Sequence, residues 1–461
     1  MQAVAAGGVA YAVGKTSGLS FAQMSGGSAR FADYKALVCL FLFGGNDSWN
    51  MLVPMSASEY DGYYKSRGGG TSSSLAVEKE ALLPISRGDW VSNNLQYGFH
   101  PSLPGVRQLF NEGRLAVLPN IGPLIKPLSK QQYFETPPNS KDLPPQLFSH
   151  NDQQEQWNSL RGRFLLKSGW GGRISDLIVD QVGAQQMPLN ASLSGQTIFQ
   201  TGDLAEPYVM GISGAQFFDG LGYQNDEPKR RENMVGLLDA TLSSSSTGLY
   251  ERGYARVQRR AIDFAQRIND VIGRAPEIAA FNTGEPLSPL GIQLRTIAKL
   301  IAQRSKLSMT RQIFFVGLGG FDNHDRQLDE HPKLLANVSR AVKAFHDATV
   351  ELGVAEQVTL FTQSDFGRTL TSNGDGSDHG WGGIQFVVGG GVRGGQFYGE
   401  YPSLAADAPW VLPWGGTVIP TVSADQYAAT LARWFGVPQQ SLPAVAPNLV
   451  NFANWDLGFM A

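Results

Sequence analysis

Apolar runs of strand length alternate along the chain with segments of helical periodicity. Runs rich in β-branched and aromatic residues predict strands at 36–43, 115–119, 312–318, 357–362 and 384–388. Apolar positions at helical spacing predict helices at 105–112, 288–304, 331–352 and 424–434. Continuous apolar strands are buried on both faces, as in a parallel sheet between helices. We therefore predict an α/β fold whose mainly parallel sheet is covered by helices on both faces.

The chain has 461 residues, which is long for a single hydrophobic core. We expect one large domain over residues 30–455, with a largely helical insertion or cap at 190–305. Hydrophobic residues make up 42% of the chain and charged residues 17%, as in an ordinary globular protein. The net charge is −3 with both signs interspersed, so the chain lacks the basic footprint of a nucleic-acid-binding protein.

The first 24 residues differ in composition from the rest. Residues 3–13 form an Ala-, Gly- and Val-rich run that is too short to span a bilayer, and we expect no transmembrane anchor. Ser20 and Ala22 place small residues at the −3 and −1 positions of a cleavage site. The basic segment that should precede the run is missing, so this is either a truncated export signal or no signal. We favour a truncated signal with the true start upstream, and hence a periplasmic or extracellular protein.

Acidic and imidazole side chains lie at the ends of the predicted strands. Asp47 follows the first strand, Asp322 and His324 follow 312–318, Asp365 follows 357–362, and His379 precedes 384–388. Carboxyl ends of parallel strands share one edge of a sheet, where ligands bind. Clustered carboxylates repel one another unless a cation neutralises them, and carboxylates with imidazoles suit zinc, manganese or iron. The pattern predicts a metal site, although each aspartate taken alone is also typical of a turn or helix cap.

Five segments together resemble a bacterial family. They read FGGND at 43–47, LFSHNDQ at 147–153, GGFDNH at 319–324, SDFGRT at 364–369 and DHGW at 378–381. In this order they resemble the domain of unknown function family fifteen-oh-one (DUF1501), within the alkaline phosphatase/sulfatase-like superfamily. The resemblance covers roughly residues 30–455. It implies an alkaline phosphatase-like fold and export by the twin-arginine route.

The resemblance also implies a ligand set and a reaction. Asp47 matches a carboxylate of one metal site, Asp322 with His324 matches the other, and Asp365 and His379 match the later carboxylate and histidine. Superfamily hydrolases act on phosphate or sulfate esters with one or two divalent ions, here zinc, manganese or calcium.

Two departures leave this set one ligand short. Asp322 and His324 are two residues apart where the superfamily spaces them four apart, and Phe366 stands where it has a histidine. The sequence therefore leaves open whether the site binds one metal ion or two.

The nucleophile and the anion-binding groups are less well indicated. Ser129 and Lys130 follow the predicted strand 115–119 and could serve as nucleophile and anion-binding residue, but Ser129 could equally cap a helix. His150, Asp152 and Arg368 could bind an anion or surround the metal ligands, or could stabilise turns.

Two functions follow from these observations. The first is an exported metal-dependent hydrolase that acts on a small anionic ester or on a sulfated or phosphorylated polymer. The second is a non-catalytic envelope or surface protein that keeps the sulfatase-like fold. Ligand-type residues at strand ends favour the enzyme, whereas the missing histidine and the uncertain nucleophile favour the alternative.

Overall fold

A computed structural model describes residues 31–85, 96–162, 167–215, 236, 240 and 249–461. The predicted export signal at 1–24 lies outside these residues. The helices are α1 (Ala57–Ser66), α2 (Pro104–Asn111), α3 (Lys130–Glu135), α4 (His150–Ser159), α5 (Trp170–Ile178), α6 (Leu249–Gly273), α7 (Pro289–Ala302), α8 (Gln327–Glu351), α9 (Ala424–Phe435) and α10 (Leu442–Val445). None of the described helices combines the length and apolarity needed to cross a membrane.

Thirteen strands are found in the described part of the chain. They are β1 (Lys35–Leu42), β2 (Leu52–Pro54), β3 (Leu83–Pro84), β4 (Tyr97–Phe99), β5 (Leu115–Gly122), β6 (Asn190–Ser192), β7 (Tyr208–Val209), β8 (Arg311–Leu318), β9 (Val358–Ser364), β10 (Arg368–Ser372), β11 (Ser377–His379), β12 (Gly383–Gly389) and β13 (Val422–Ser423). Eight of them form the central sheet, in the order β13-β5-β12-β9-β1-β8-β6-β7.

The prediction of a mainly parallel sheet is confirmed. Within the central sheet only β12 runs antiparallel to its neighbours, β5 and β9. The five strands predicted from apolar runs are β1, β5, β8, β9 and β12, and they form the middle of the sheet together. Apolar content showed which segments are buried, but it carries no information on strand direction, so the antiparallel β12 could not be anticipated.

Helices cover both faces of the sheet, also as predicted. Successive residues of β1 enter two different hydrophobic cores, because strand side chains alternate between faces. Apolar residues of α2, α7 and α8 pack in one core, and those of α5 and α9 pack in the other. Within 190–305, for which an insertion is predicted, β6 and β7 extend the sheet beyond β8, and α7 packs on β8 and α8.

Two histidines are buried beneath the loop that follows β1. Nε2 of His331, on α8, donates to Oδ1 of Asn46 at 2.9 Å, and the ring of His100 lies 6.3 Å away, edge to face. Burial lowers the pKa of both imidazoles to about 4, because the interior disfavours their charged form. Both are therefore neutral in the folded protein at neutral pH.

These histidines predict a loss of stability in mild acid. Below pH 6.5 the unfolded chain protonates them, but the folded chain does not until about pH 4, so the free energy of unfolding falls across this interval. We expect a loss of roughly 3 kcal/mol per histidine. Urea denaturation of the parent and of His331→Gln at several pH values would measure it. The two profiles should converge as the pH falls, and parallel profiles would contradict the assignment.

Candidate metal centre

Two glycines allow the loop after β1 to pass between the loops after β8 and β9. Gly44 and Gly45 have φ values of +113° and +82°, which residues with a side chain rarely adopt. A Cβ atom on Gly44 would lie 2.4 Å from the backbone nitrogen of Asp322, and one on Gly45 would lie 2.3 Å from the ring of Phe366. The three loops can meet at this edge only because these two positions carry no side chain.

Arg368 joins the same three loops. Its side chain is 1% exposed, and its Nη2 atom lies 2.5 Å from Oδ1 of Asp322. The guanidinium also donates, at 2.6–3.1 Å, to the backbone carbonyl oxygens of Gly44, Gly45, Phe321 and Ser377. Arg368 is thus engaged with the protein itself, and its role is to position Asp322 and the loops.

Three imidazoles converge on the carboxylate of Asp322. Nε2 of His324 lies 2.9 Å from Nε2 of His379 and 3.1 Å from Oδ1 of Asp322. Nε2 of His379 lies 3.4 Å from the same oxygen, and Nε2 of His150 lies 3.4 Å from Oδ2. These four residues, called the imidazole cluster below, come from α4, β11 and the loop after β8.

The other ring nitrogen of each histidine is held by an oxygen acceptor. The acceptors are Asp365 Oδ2 for His150 (2.7 Å), Asp378 Oδ1 for His324 (3.0 Å) and the carbonyl oxygen of Phe148 for His379 (2.7 Å). An ionised carboxylate or a carbonyl can only accept, so each Nδ1 carries the hydrogen. In the neutral rings, all three Nε2 atoms therefore point lone pairs into the cluster. Metal-ligating histidines are oriented in this way.

The cluster fits a divalent metal ion. Two Nε2 lone pairs only 2.9 Å apart repel each other unless a proton or a cation lies between them. At a tetrahedral zinc site with metal–nitrogen distances near 2.0–2.1 Å, neighbouring ligand atoms are about 3.3 Å apart. The separations among Asp322, His324 and His379 are 2.9, 3.1 and 3.4 Å. One ligand atom each from His150, Asp322 and His379 also lie within 4.8 Å of one another, so His150 is near enough to share an ion with these two residues.

Electrostatics favour the protonation states that a metal needs. Partial burial tends to raise the pKa of Asp322, but the hydrogen bond and charge of Arg368 outweigh it and hold that pKa below its ordinary value. Burial, aided by the charge of Arg368, lowers the pKa of His379. An anionic carboxylate and a neutral imidazole thus face each other at neutral pH.

Phe366 stands where the superfamily pattern has a histidine. Its ring centroid lies 4.4 Å from that of His379 and 4.9 Å from that of His150. The phenyl ring thus forms an apolar wall against which two imidazoles of the cluster pack.

Two carboxylates that the sequence pattern assigns to the metal are bonded elsewhere. Asp365 is fully buried behind His150 and also accepts from the backbone nitrogen of Gly44 (3.1 Å) and from Nε2 of Gln154 (2.9 Å). The buried Asp47 forms an ion pair with Arg67 and accepts a hydrogen bond from Gln327. Both carboxylates thus have protein donors of their own, although Oδ1 of Asp47 has no partner within the described residues.

The predicted nucleophile and anion-binding residues have local contacts. Ser129 is the N-cap of α3, where its Oγ accepts from the backbone nitrogen of Gln132 at 3.2 Å, and Lys130 is the first residue of that helix. Asp152, in the first turn of α4, accepts from Oγ of Ser149 at 2.7 Å. Across the ranges that the structure describes, no hydrogen bond or ion pair links Ser129, Lys130 or Asp152 to the imidazole cluster.

Sequence reasoning gave His150 only an auxiliary role and did not single out Gln154 or use Asp378 as an acceptor. The available signal was spacing: His150 and Gln154 are four residues apart, so they lie on one face of α4 and both reach Asp365. Asp378 directly precedes His379, and both contact His324, Asp378 at its Nδ1 atom and His379 at its Nε2 atom.

Comparisons with known proteins agree with the sequence resemblance at the level of the family. The family model described as "Protein of unknown function (DUF1501)" matches residues 34–410. Among curated proteins, none matches the chain in sequence.

Solved structures of similar fold share little sequence with the chain. Ps i-CgsB in complex with k-i-k-neocarrahexaose is 10% identical, with 90% of this chain and 77% of that one covered and a TM-score of 0.36. The lipoteichoic acid synthase LtaP from Listeria monocytogenes is 8% identical, with 94% and 81% covered and a TM-score of 0.36. PsFucS1 sulfatase from Pseudoalteromonas sp. is 11% identical, with 86% and 72% covered and a TM-score of 0.33. Likeness at this level does not bear on the chemistry of the site.

Arg368→Lys should destabilise the protein by at least about 3 kcal/mol, because a lysine cannot reach four carbonyl oxygens and a carboxylate at once. Urea denaturation would measure the change. Arg326→Lys is the matched control, since Arg326 is exposed and pairs only with Glu330 at 2.7 Å in the described structure; it should change stability by under about 0.5 kcal/mol. Equal effects of the two substitutions would show that Arg368 does not hold the loops together.

Proposed function

The chain belongs to this DUF1501 family, and we propose that this protein is a metal-dependent hydrolase of phosphate or sulfate esters. One observation carries the proposal: three histidines, each with its Nδ1 hydrogen held by an oxygen, direct Nε2 toward the carboxylate of Asp322. A protein has no structural use for lone pairs that face one another, whereas a metal site requires them. The resemblance of the sequence to the alkaline phosphatase/sulfatase-like superfamily points to the same chemistry.

Each residue of the cluster has a distinct role in this proposal. Asp322, His324 and His379 would hold the ion, and His150 would complete the shell or contact the ester. A divalent ion bound there would supply Lewis acidity that polarises an ester oxygen and lowers the pKa of water. Asp365 fixes the ring of His150, and Arg368 fixes the carboxylate of Asp322.

The contacts of the remaining carboxylates favour one ion over two. Oδ2 of Asp47 is paired with Arg67, and Asp365 accepts from Gly44, His150 and Gln154. Three imidazoles and one carboxylate form a nitrogen-rich set that suits zinc or manganese better than calcium, which prefers oxygen ligands.

The setting of the reaction follows from the predicted export signal. We place the activity in the periplasm or outside the cell, on a small anionic ester or on a sulfated or phosphorylated polymer. The partly exposed carboxylate of Asp322 leaves the cluster open to such a ligand, since 46% of that side chain is accessible.

A non-catalytic surface protein that retains the fold is the second candidate. The observation in its favour is that Ser129, the predicted nucleophile, caps α3. The two candidates differ in whether the protein turns over esters, because either could bind a metal.

Metal content and hydrolysis would test the proposal together. Protein purified without chelator should contain one equivalent of zinc or manganese by elemental mass spectrometry, and His379→Ala and Asp322→Asn should contain little. The parent should hydrolyse p-nitrophenyl phosphate or p-nitrophenyl sulfate, lose this activity to a chelator and regain it with metal. Asp325→Asn, an exposed carboxylate beside the cluster, is the matched control and should retain both.

Two results would contradict the proposal. A parent that binds no metal even after soaking would remove the site itself. A parent that binds metal but hydrolyses neither these esters nor a wider panel would support the non-catalytic alternative.

Asp365→Asn should weaken metal affinity about 10- to 100-fold without removing the ligands. Asp365 accepts from Gly44 on one oxygen and from His150 and Gln154 on the other, so an amide loses at least one of these bonds, and it also loses the negative charge that raises the basicity of the His150 ring. Competition with a chromophoric chelator would measure the dissociation constant. Asp375→Asn, which alters a carboxylate bonded to the backbone of Arg326, is the control and should bind as the parent does. An unchanged constant in Asp365→Asn would exclude His150 from the metal shell.

A further inference from the structure

A cavity of about 230 Å³ lies beside the imidazole cluster, between α4 and the loop that follows β6. It is smaller than the roughly 300–1,000 Å³ of most drug-sized ligand sites, so it admits a single ring-sized group. Its wall is rich in amide and hydroxyl side chains and includes one half-buried aromatic ring. The residues used in this argument are Phe43, Asn151, Gln154, Asn158, Ser194 and Thr197.

The cavity is connected to the cluster by direct contacts. Gln154 lines the cavity and donates to Asp365 at 2.9 Å, and Asp365 in turn holds His150 at 2.7 Å. Phe43 lines it as well and is followed immediately by Gly44, whose nitrogen donates to the same carboxylate. The cavity and the cluster thus lie on either side of the same carboxylate, Asp365.

The charge of the wall selects against an ionic occupant. None of the described residues that line the cavity is basic, so an anion would find no counter-charge there. The one acidic residue, Glu155, is paired with Arg161 at 2.6 Å. Amides and hydroxyls both donate and accept hydrogen bonds, which matches the hydroxyl groups of a sugar.

The aromatic ring adds a flat apolar face to this polar wall. Phe43 packs 4.6 Å from Phe41, centroid to centroid, which fixes its ring at the cavity. A Cβ atom on Gly317 would lie 2.5 Å from the Phe43 ring and 2.7 Å from Oγ of Ser194, so a glycine there lets the two lining groups approach each other. A ring face beside hydrogen-bonding groups suits the apolar C–H face of a pyranose.

Asn158 supplies a second, independent indication of a ligand. The residue is 6% exposed, and its Oδ1 atom has no hydrogen-bond partner within the described chain. An unpaired buried acceptor is unfavourable, and a rotation of this side chain toward the adjoining cavity would let a ligand hydroxyl relieve it.

We propose that this cavity binds an uncharged, polyhydroxylated group of one sugar ring, to which the hydrolysed ester is attached. This inference rests on the proposed function, because it assigns the part of the substrate that carries the ester. The substrate would then be a sugar ester, with its anionic group at the imidazole cluster and a neutral ring against Phe43 and the amides.

Binding of neutral sugars would test this inference without any turnover. Saturation-transfer-difference NMR would be recorded with methyl α-D-glucopyranoside, methyl α-D-mannopyranoside and methyl β-D-galactopyranoside, none of which carries an ester. At least one should receive saturation from the parent. Asn158→Leu should weaken its binding about tenfold or more, since it removes both polar atoms at nearly constant volume. Because it also removes an unpaired acceptor, this variant should fold normally, which thermal unfolding would check. Gln440→Ala, an exposed amide outside the cavity, is the matched control.

The outcomes separate this inference from the proposed function. If the parent binds a glycoside but takes up no metal, the inference of a sugar site stands and the hydrolase proposal is contradicted. Metal binding and ester hydrolysis without saturation of any of the three glycosides would overturn the sugar site alone. Equal binding by the parent and Asn158→Leu would also overturn it.

Discussion

The contacts of one guanidinium group hold together the edge of the sheet that carries the imidazole cluster. Arg368 is the first residue of β10, yet its donors reach the loops after β1 and β8 and the strand β11. Buried backbone carbonyl oxygens need hydrogen-bond donors wherever they lie. A single side chain satisfies four of them and in the same position binds Asp322. The packing of the loops against one another and the position of the Asp322 carboxylate therefore depend on the same residue.

This arrangement explains why carboxylates that look alike in the sequence have different surroundings. Asp47, Asp322 and Asp365 all follow strands, and the edge rule brings them to one side of the sheet. What separates them is which donor reaches each one: Arg67 pairs with Asp47, Asp365 accepts from a backbone nitrogen and two side chains, and Asp322 stays partly open. Those donors lie far away in sequence, so spacing and residue type could not reveal them. Of the predicted ligands, Asp322, His324 and His379 come together in the structure.

The fold was more accessible from the sequence than the site. The five continuous apolar runs form the middle strands of the sheet. They could be predicted because a strand that is buried on both faces consists mainly of apolar residues. The short strands β6, β7 and β13 have only two or three residues each, too few for any periodicity to register. The position of His150 in the cluster was difficult to predict for another reason. This residue lies on a helix and reaches the cluster because α4 packs on β9.

The four residues of the imidazole cluster come from three stretches of chain that are far apart, at 150, 322–324 and 379. An ion held by them would act as a reversible crosslink that closes two long loops, as a disulfide would in an oxidising compartment. The chain has only one cysteine, the buried Cys39, so it cannot form such a bond within itself. Its resistance to unfolding would then follow the free metal concentration of its surroundings, and metal starvation would expose the chain to proteolysis as well as silence it.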